Sequence, residues 1–350
     1  MSISPTRPQP APPRARHGSS QEANDTAGEG TIEFDIGDTN SVKTISPASP
    51  LPTITDTATT DGYTQRGARE NTLEEGTDAV LKIELDGTSA GDDANGLSIE
   101  AADSTIKGLV INRFDNDGIA ITGAGTTGNM VEGNFIGTNA AGTADRGNFS
   151  VGVSIRDQSD DSTIGGTQPA QRNLISGNGT GVRFSGDASF NEGTGLEIFL
   201  GNNVGNSILS NSIFANEQIG IDLNNNGVPG NDPDDPDTGA NNLQNFPDIN
   251  SANLNVPTGF TAISGILYSN PNQTFLIQCF LADDPADASG HGEGAILLDS
   301  TLRTTNSFGG ASFQCDTQVP EEGQTVGATA TNVSTGDTSE FSENEEIIAP

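Results

Sequence analysis

The sequence predicts an all-β chain, a parallel β-helix over most of its length followed by a small β-sandwich. Three observations point there. Glycine supplies 44 of 350 residues, aromatic residues make up 5 % and tryptophan is absent, which argues against a compact core built around large rings. After residue 30 no i, i+3, i+4, i+7 apolar pattern is sustained, because glycine interrupts each candidate. Two short apolar units recur instead. The first is Asn-x-(Ile/Val)-x-x-Asn-x-Ile, as in NMVEGNFI at 129–136 and NSILSNSI at 206–213, with looser copies in STIKGLVI at 104–111 and RNLISGN at 172–178. The second is Gly-apolar-x-apolar: GIAI at 118, GVSI at 152, GVRF at 181, GLEI at 195 and GIDL at 220.

Copies recur roughly every 25 to 35 residues, too short a period for a β-α-β crossover. Strands of two to five residues are unstable alone. They become stable when the chain winds back and lays each on its counterpart one turn earlier, ~4.8 Å away. Alternation then sends Ile208, Ile213, Ile221 and Leu223 inward, onto Val131, Ile136, Val153 and Ile155 of other coils. The corners need tight or left-handed backbone, which Gly and Asn tolerate. Asparagines stacked coil over coil can also bond one another along the axis.

Taken from the N-terminus, Met1–Ser20 is rich in Pro and Arg without an apolar stretch and reads as a disordered tail, not an export signal. Residues 21–40 are expected to cap the first coil, with a short helix allowed at Gln21–Asn24. TIEFDI at 31, AVLKIEL at 79 and GLSIE at 96 fit the first coils, so the β-helix with its cap is expected over 21–227. Residues 228–242, VPGNDPDDPDTGANN, carry too much proline for a ladder and form a junction. Beyond them GFTAISGILY, TFLIQCF, GAILLDSTL, GASFQC, QTVGATAT and TSEFSE alternate like the strands of an immunoglobulin-like sandwich, expected over 243–345. Cys279 and Cys315 both fall on inward positions there; a disulfide and two buried thiols fit equally well, and a reactive thiol fits less well.

Acidic residues number 48 against 14 Lys and Arg, a formal net charge of -34, which argues against nucleic acid as a partner. Two readings fit such an excess: a calcium-loaded extracellular protein, or one suited to high salt. No run reaches the roughly 18 apolar residues of a membrane span.

Several stretches together carry a family resemblance: TITDTATTDGYTQRGA (53–68), GNFIGTNAAGT (133–143), STIGGTQPAQRNLISGN (162–178), NSIFANEQIGIDLNNNG, NNLQNFPDI and ATNVSTGDTSEFS. In that order they resemble the bacterial right-handed parallel β-helix repeat proteins, secreted or cell-surface molecules of the polymorphic outer-membrane and adhesin-like kind. The resemblance covers nearly everything after residue 20. It implies a right-handed coil, placement outside the cell or on its surface, and no shared catalytic motif. Arg66 stands where these proteins usually carry Pro, which loosens one turn, and the usual upstream cap is shortened to SSQEAND.

The strongest local signal for chemistry is DLNNNGVPGNDPDDPD. Asp222, Asn224 and Asn226 followed by Gly227 copy the first half of a calcium loop, and Asp232, Asp234, Asp235 and Asp237 could complete its shell. The bidentate Glu that closes such loops is missing, and a solvated run of Asx turns is the plainer reading. Outward positions of the Gly-apolar-x-apolar units are Ala120, Ser154, Arg183, Glu197 and Asp222. Arg183 with Asp160 and Asp161 is the best cluster for a polysaccharide lyase, and Glu197 with Asp222 the best carboxylate pair for a hydrolase. Neither is dense enough to outweigh an exposed salt-bridge ladder. His291 lies without a nearby nucleophile and reads as a solvated turn residue. The function expected is non-catalytic and adhesin-like, with a polysaccharide or another surface component as partner; the alternative is a lyase or hydrolase of acidic polysaccharide.

Overall fold

In a computed structural model, residues 15–17, 19–25, 28, 30–37, 41–179, 196–198, 203–224, 226–282, 288–318 and 321–349 are described. Arg183 and the whole GVRF unit lie outside them.

The repeats build three parallel sheets, and from Ala58 to Leu223 the chain gives one short strand to each described position of the three sheets in turn. The first sheet runs Ala15–His17, Gly30–Glu33, Ala58–Asp61, Thr105–Lys107, Met130–Glu132, Thr163–Gly165 and Ser207–Leu209. The second stacks Lys43–Ile45, Ile83–Asp86, Leu109–Asn112, Phe135–Ile136, Leu174–Ser176 and Ser212–Phe214. The third stacks Leu97–Ile99, Ile119–Thr122, Val153–Arg156, Leu196–Ile198 and Ile221–Leu223. This is a parallel β-helix. GLEI takes the register position between GVSI and GIDL.

Register turns the repeat into four apolar columns. Ile106, Val131, Ile164 and Ile208 form one, and Ile111, Ile136, Ile175 and Ile213 another. Ile119, Val153, Leu196 and Ile221 stand beside Ile121, Ile155, Ile198 and Leu223 in the third sheet. All sixteen side chains are buried in one continuous core, and each contributes about 1.5–3 kcal/mol relative to exposure. At the corners, the side-chain oxygen of Asn173 accepts the Asn134 amide N–H (2.9 Å), and that of Asn211 accepts the Asn173 amide N–H (3.3 Å). A second ladder runs from Asn148 through Asn178 to Asn216. These asparagines satisfy backbone groups that the corner leaves outside any sheet.

The alternation predicts which residues face into the coil, but not what covers its outside. On the second sheet the outward residues Val110, Phe135, Leu174 and Phe214 are themselves apolar and are covered by Tyr63, Ala79 and Leu81. Ala120 and Ser154, expected at the surface, are buried. Ser154 Oγ donates to Asp117 Oδ2 at 2.7 Å, and the Arg156 guanidinium pairs with the same carboxylate.

At the N-terminal end a short helix packs beside the first strands. Ser20–Asn24 is a short helix whose N-cap Ser19 Oγ accepts the Glu22 amide N–H, and Ala23 joins the core. The expected tail, however, contains a strand, since Ala15–His17 pairs in parallel with Gly30–Ile32. Arg66 makes an exposed ion pair with Asp35 at 2.8 Å.

The C-terminal unit departs from two separate facing sheets. Its seven strands form one mixed sheet, in the order Ile296–Thr304, Thr274–Leu281, Thr325–Asn332, Glu345–Ile348, Asp248–Asn255, Phe260–Tyr268 and Gly310–Thr317. The two edge strands lie against each other, so the sheet is nearly closed. Its interior holds Ile263, Phe275, Ile277, Phe313 and Val326. Cys279 and Cys315 are joined there, linking positions 36 residues apart in the chain. A cross-link over such a span contributes about 2–4 kcal/mol. Thermal melts with and without a reductant should therefore differ by several degrees, and equal midpoints would show that the bridge is dispensable.

Five of the six predicted segments are strands, and TSEFSE is not. Residues 338–342 instead meet the open end of the β-helix. Thr338 Oγ1 accepts the Ile208 amide N–H (2.9 Å) and Glu340 Oε1 that of Leu223 (2.8 Å). Asp337 Oδ1 accepts from Gly205, Gln278 Oε1 from Ser210 and Glu293 Oε2 from Asn216, at 2.7, 3.0 and 3.0 Å. Phe280 and Phe341 complete the apolar core of the last coil. The C-terminal unit is thus the cap that satisfies the last coil's exposed edge.

Candidate functional site

NNLQNFPDI places the junction against the C-terminal unit. Asn241, Asn242 and Leu243 take left-handed backbone, with φ of 45°, 50° and 50°, which turns the chain sharply. Asn241 Nδ2 then donates to the carbonyls of Asn206 and Thr338, and Asn242 Nδ2 to Asp337 Oδ2. Asn245 Nδ2 donates to the carbonyls of Asp232 and Tyr268, holding the acidic loop to a strand end.

These staples frame a cavity of about 330 Å³ lined by Asn231, Asp232, Pro233, Asp234, Asp248, Tyr268, Ser269 and Phe308. Two aromatic residues in it are unusually open: Tyr268 is 48 % exposed and Phe308 83 %. Phe308 is presented by a tight turn in which Asn306 Oδ1 accepts the amide N–H groups of Phe308 and Gly310. Asp234 and Asp235 adopt left-handed backbone, with φ of 65° and 53°, and carry their side chains to different environments. Asp234 is exposed at the cavity, whereas Asp235 is buried.

The carboxylates differ in electrostatics as well. Burial pushes Asp235 up to about 6, opposed by hydrogen bonds from Ser269, Asn245 and Gln244. Partial desolvation raises Asp232, with Asp237 and Asp234 adding repulsion, and Asp232 Oδ1 has no hydrogen-bond partner. Asp248 is raised by burial and then by Glu343.

The predicted calcium shell is not brought together. Asp222 is buried under the C-terminal unit, and its Oδ1 accepts the Asn226 amide N–H. Asn224 Oδ1 accepts from Ala240, and the oxygens of Asp235 are occupied by Ser269, Gln244 and Asn245. Asn226 and Asp237 are exposed. Only Asp232 and Asp234 of the seven line the cavity. Among the described residues no three His, Cys, Asp or Glu side chains are gathered for a metal. The residues therefore do not fit a calcium loop.

Of the proposed lyase cluster, Asp160 Oδ1 accepts the Val204 amide N–H, and Asp161 sits against the Gly205 corner in left-handed backbone. Both serve turns. Glu197 is the register partner of Asp222 as expected, but Asp222 is buried, so that pair presents no open carboxylate dyad on the coil surface. His291, expected to be solvated, packs its ring edge-on to Phe246 and bonds the Phe341 carbonyl through Nδ1 at 3.1 Å.

No family model matches the sequence, and no curated protein matches it. Among solved structures, the full-length tailspike protein 2 of Escherichia coli O157:H7 bacteriophage CAB120 aligns over 97 % of this chain and 69 % of its own. The identity is 11 % and the TM-score 0.21, a likeness too weak to carry any argument. Among the described residues no helix is long and apolar enough to cross a membrane.

Asp248 and Phe308 were not legible as site residues, whereas Tyr268, with Tyr63 one of the two tyrosines, is visible in the sequence as a candidate sugar platform, though so few rings give stacking weak support there. A phenylalanine inside the turn sequence TTNSFGG was the available signal, since a ring in a polar turn has no core to enter.

Proposed function

We propose that this chain is a non-catalytic binding protein of the cell exterior, an adhesin-like right-handed β-helix whose contact site is the junction cavity and whose ligand is a glycan. One observation carries the reading: Tyr268 and Phe308, both open to solvent, share a cavity with the acceptor groups of Asp232, Asp234 and Asp248. Ring faces paired with nearby hydrogen-bond acceptors suit a sugar, which has apolar C–H faces and hydroxyl donors. The β-helix supplies rigidity and reach. The lyase or hydrolase alternative has less support, because Asp160 and Asp161 serve turns and Asp222 is buried.

A glycan array probed with the full chain, and with Tyr268→Ala and Phe308→Ala, tests this. Binding to at least one glycan class should appear and fall about tenfold or more in either variant. Binding that survives both substitutions would place the contact elsewhere.

A further inference from the structure

We propose that the junction cavity selects glycans bearing free amines, in preference to neutral glycans and against acidic ones. The inference rests on the glycan reading above and narrows its ligand class.

All charged groups lining the cavity are of one sign: Asp232, Asp234 and Asp248, with no Lys or Arg among the lining residues. The crowding extends outward, since Asp237 repels Asp232 and Glu343 repels Asp248. An ammonium group relieves that repulsion, whereas a uronate carboxylate adds to it. The two open rings act in the same direction, because the face of an aromatic ring attracts a cation. The surrounding field agrees as well: with a net charge of -34, the chain draws cationic polymers and repels anionic ones at long range.

A divalent cation is a poorer match. Calcium needs six to eight converging oxygens, and the carboxylates here do not converge on a point. An ammonium donates three separate hydrogen bonds, which can reach acceptors spread along a cavity wall.

The test is calorimetric titration of the full chain with three hexamers at low salt: a fully deacetylated glucosamine hexamer, its N-acetylated counterpart and a galacturonate hexamer. The amine form should bind about tenfold more tightly than the acetylated form, and the galacturonate hexamer should give no heat. Asp234→Asn with Asp248→Asn should abolish the preference, bringing the amine form's affinity level with that of the acetylated form measured on the same variant. Equal binding of amine and acetylated forms would overturn this inference and leave the glycan reading standing. No binding by any hexamer would overturn this inference, and no binding to any class on the glycan array would overturn the glycan reading as well. An amine preference untouched by the two Asp substitutions and by Phe308→Ala would reflect overall charge alone, and would also overturn the inference.

Discussion

Phe341→Ala should destabilise the chain by about 3–5 kcal/mol, near the upper end for a core substitution, and should split one thermal transition into two. The ring is 3 % exposed and meets Phe280 edge-on, with centroids 5.4 Å apart at 81°. It lies against Gly220 and Gly294, where an added β-carbon would come within 3.0 and 2.7 Å of it. Gly220, on the last coil, is where the two units approach closely, and Gly294 is where the C-terminal unit packs tightly on its own Phe341 and Phe280 rings. Ile213, Ile221 and Leu223 of the final coil share the same cluster. Removing the ring takes the centre out of the only core that joins coil to cap among the described residues, while the disulfide-linked interior around Phe275 and Phe313 is left intact. Circular dichroism melts should show the C-terminal unit surviving after the coils unfold. A single transition shifted by less than about 1 kcal/mol would mean that the two units are not mechanically one.

Glu340→Gln should have the opposite sign. Burial pushes the Glu340 carboxyl up to about 9, with Asp222 adding to the rise and the Leu223 amide opposing it. The folded chain therefore holds a proton that the unfolded chain releases above its ordinary value near 4.5. Between about pH 4.5 and 9 the native state binds more protons than the unfolded state, so this group makes stability fall as pH rises through that window. Below it the group contributes nothing to the slope. At pH 7 the cost is on the order of 3 kcal/mol. An amide keeps the acceptor for Leu223 and does not titrate. Denaturant midpoints of the variant should match wild type near pH 4, exceed it at pH 7 and exceed it further at pH 8.5. Parallel pH profiles for the two proteins would show that Glu340 does not carry the strain.

The coils were legible because their signal is local and repeated. Each Ile or Val column needs only residues two apart to alternate, and the asparagine corners recur with the same period, so register follows from counting. The cap was not legible because its partners are far apart in the chain. Leu223 finds Glu340 across 117 residues, and Gly205 finds Asp337 across 132. TSEFSE sets a single apolar residue, Phe341, among polar ones and was expected as a strand, yet Thr338 and Glu340 are spent on the amides of another segment. The acidic junction misled for a related reason. Seven oxygen-bearing residues close in sequence resemble a shell, but Asp235 turns into the protein, Asp222 is roofed over, and only Asp232 and Asp234 reach the cavity. Half of that site comes from strands and turns downstream, at Asp248, Tyr268 and Phe308, which are brought beside the acidic loop only by folding.

All of this depends on short strands held in register on the coil before. Paired cysteines test it most directly. Met130 and Thr163 are register partners on adjacent coils, neither fully buried, and neighbouring strands at ~4.8 Å bring such positions within disulfide range. Met130→Cys with Thr163→Cys should cross-link under mild oxidation without loss of stability, while Met130→Cys with Ile164→Cys, offset by one residue onto the inward face, should not. Cross-linking of the offset pair in place of the register pair would contradict the stacked-coil architecture.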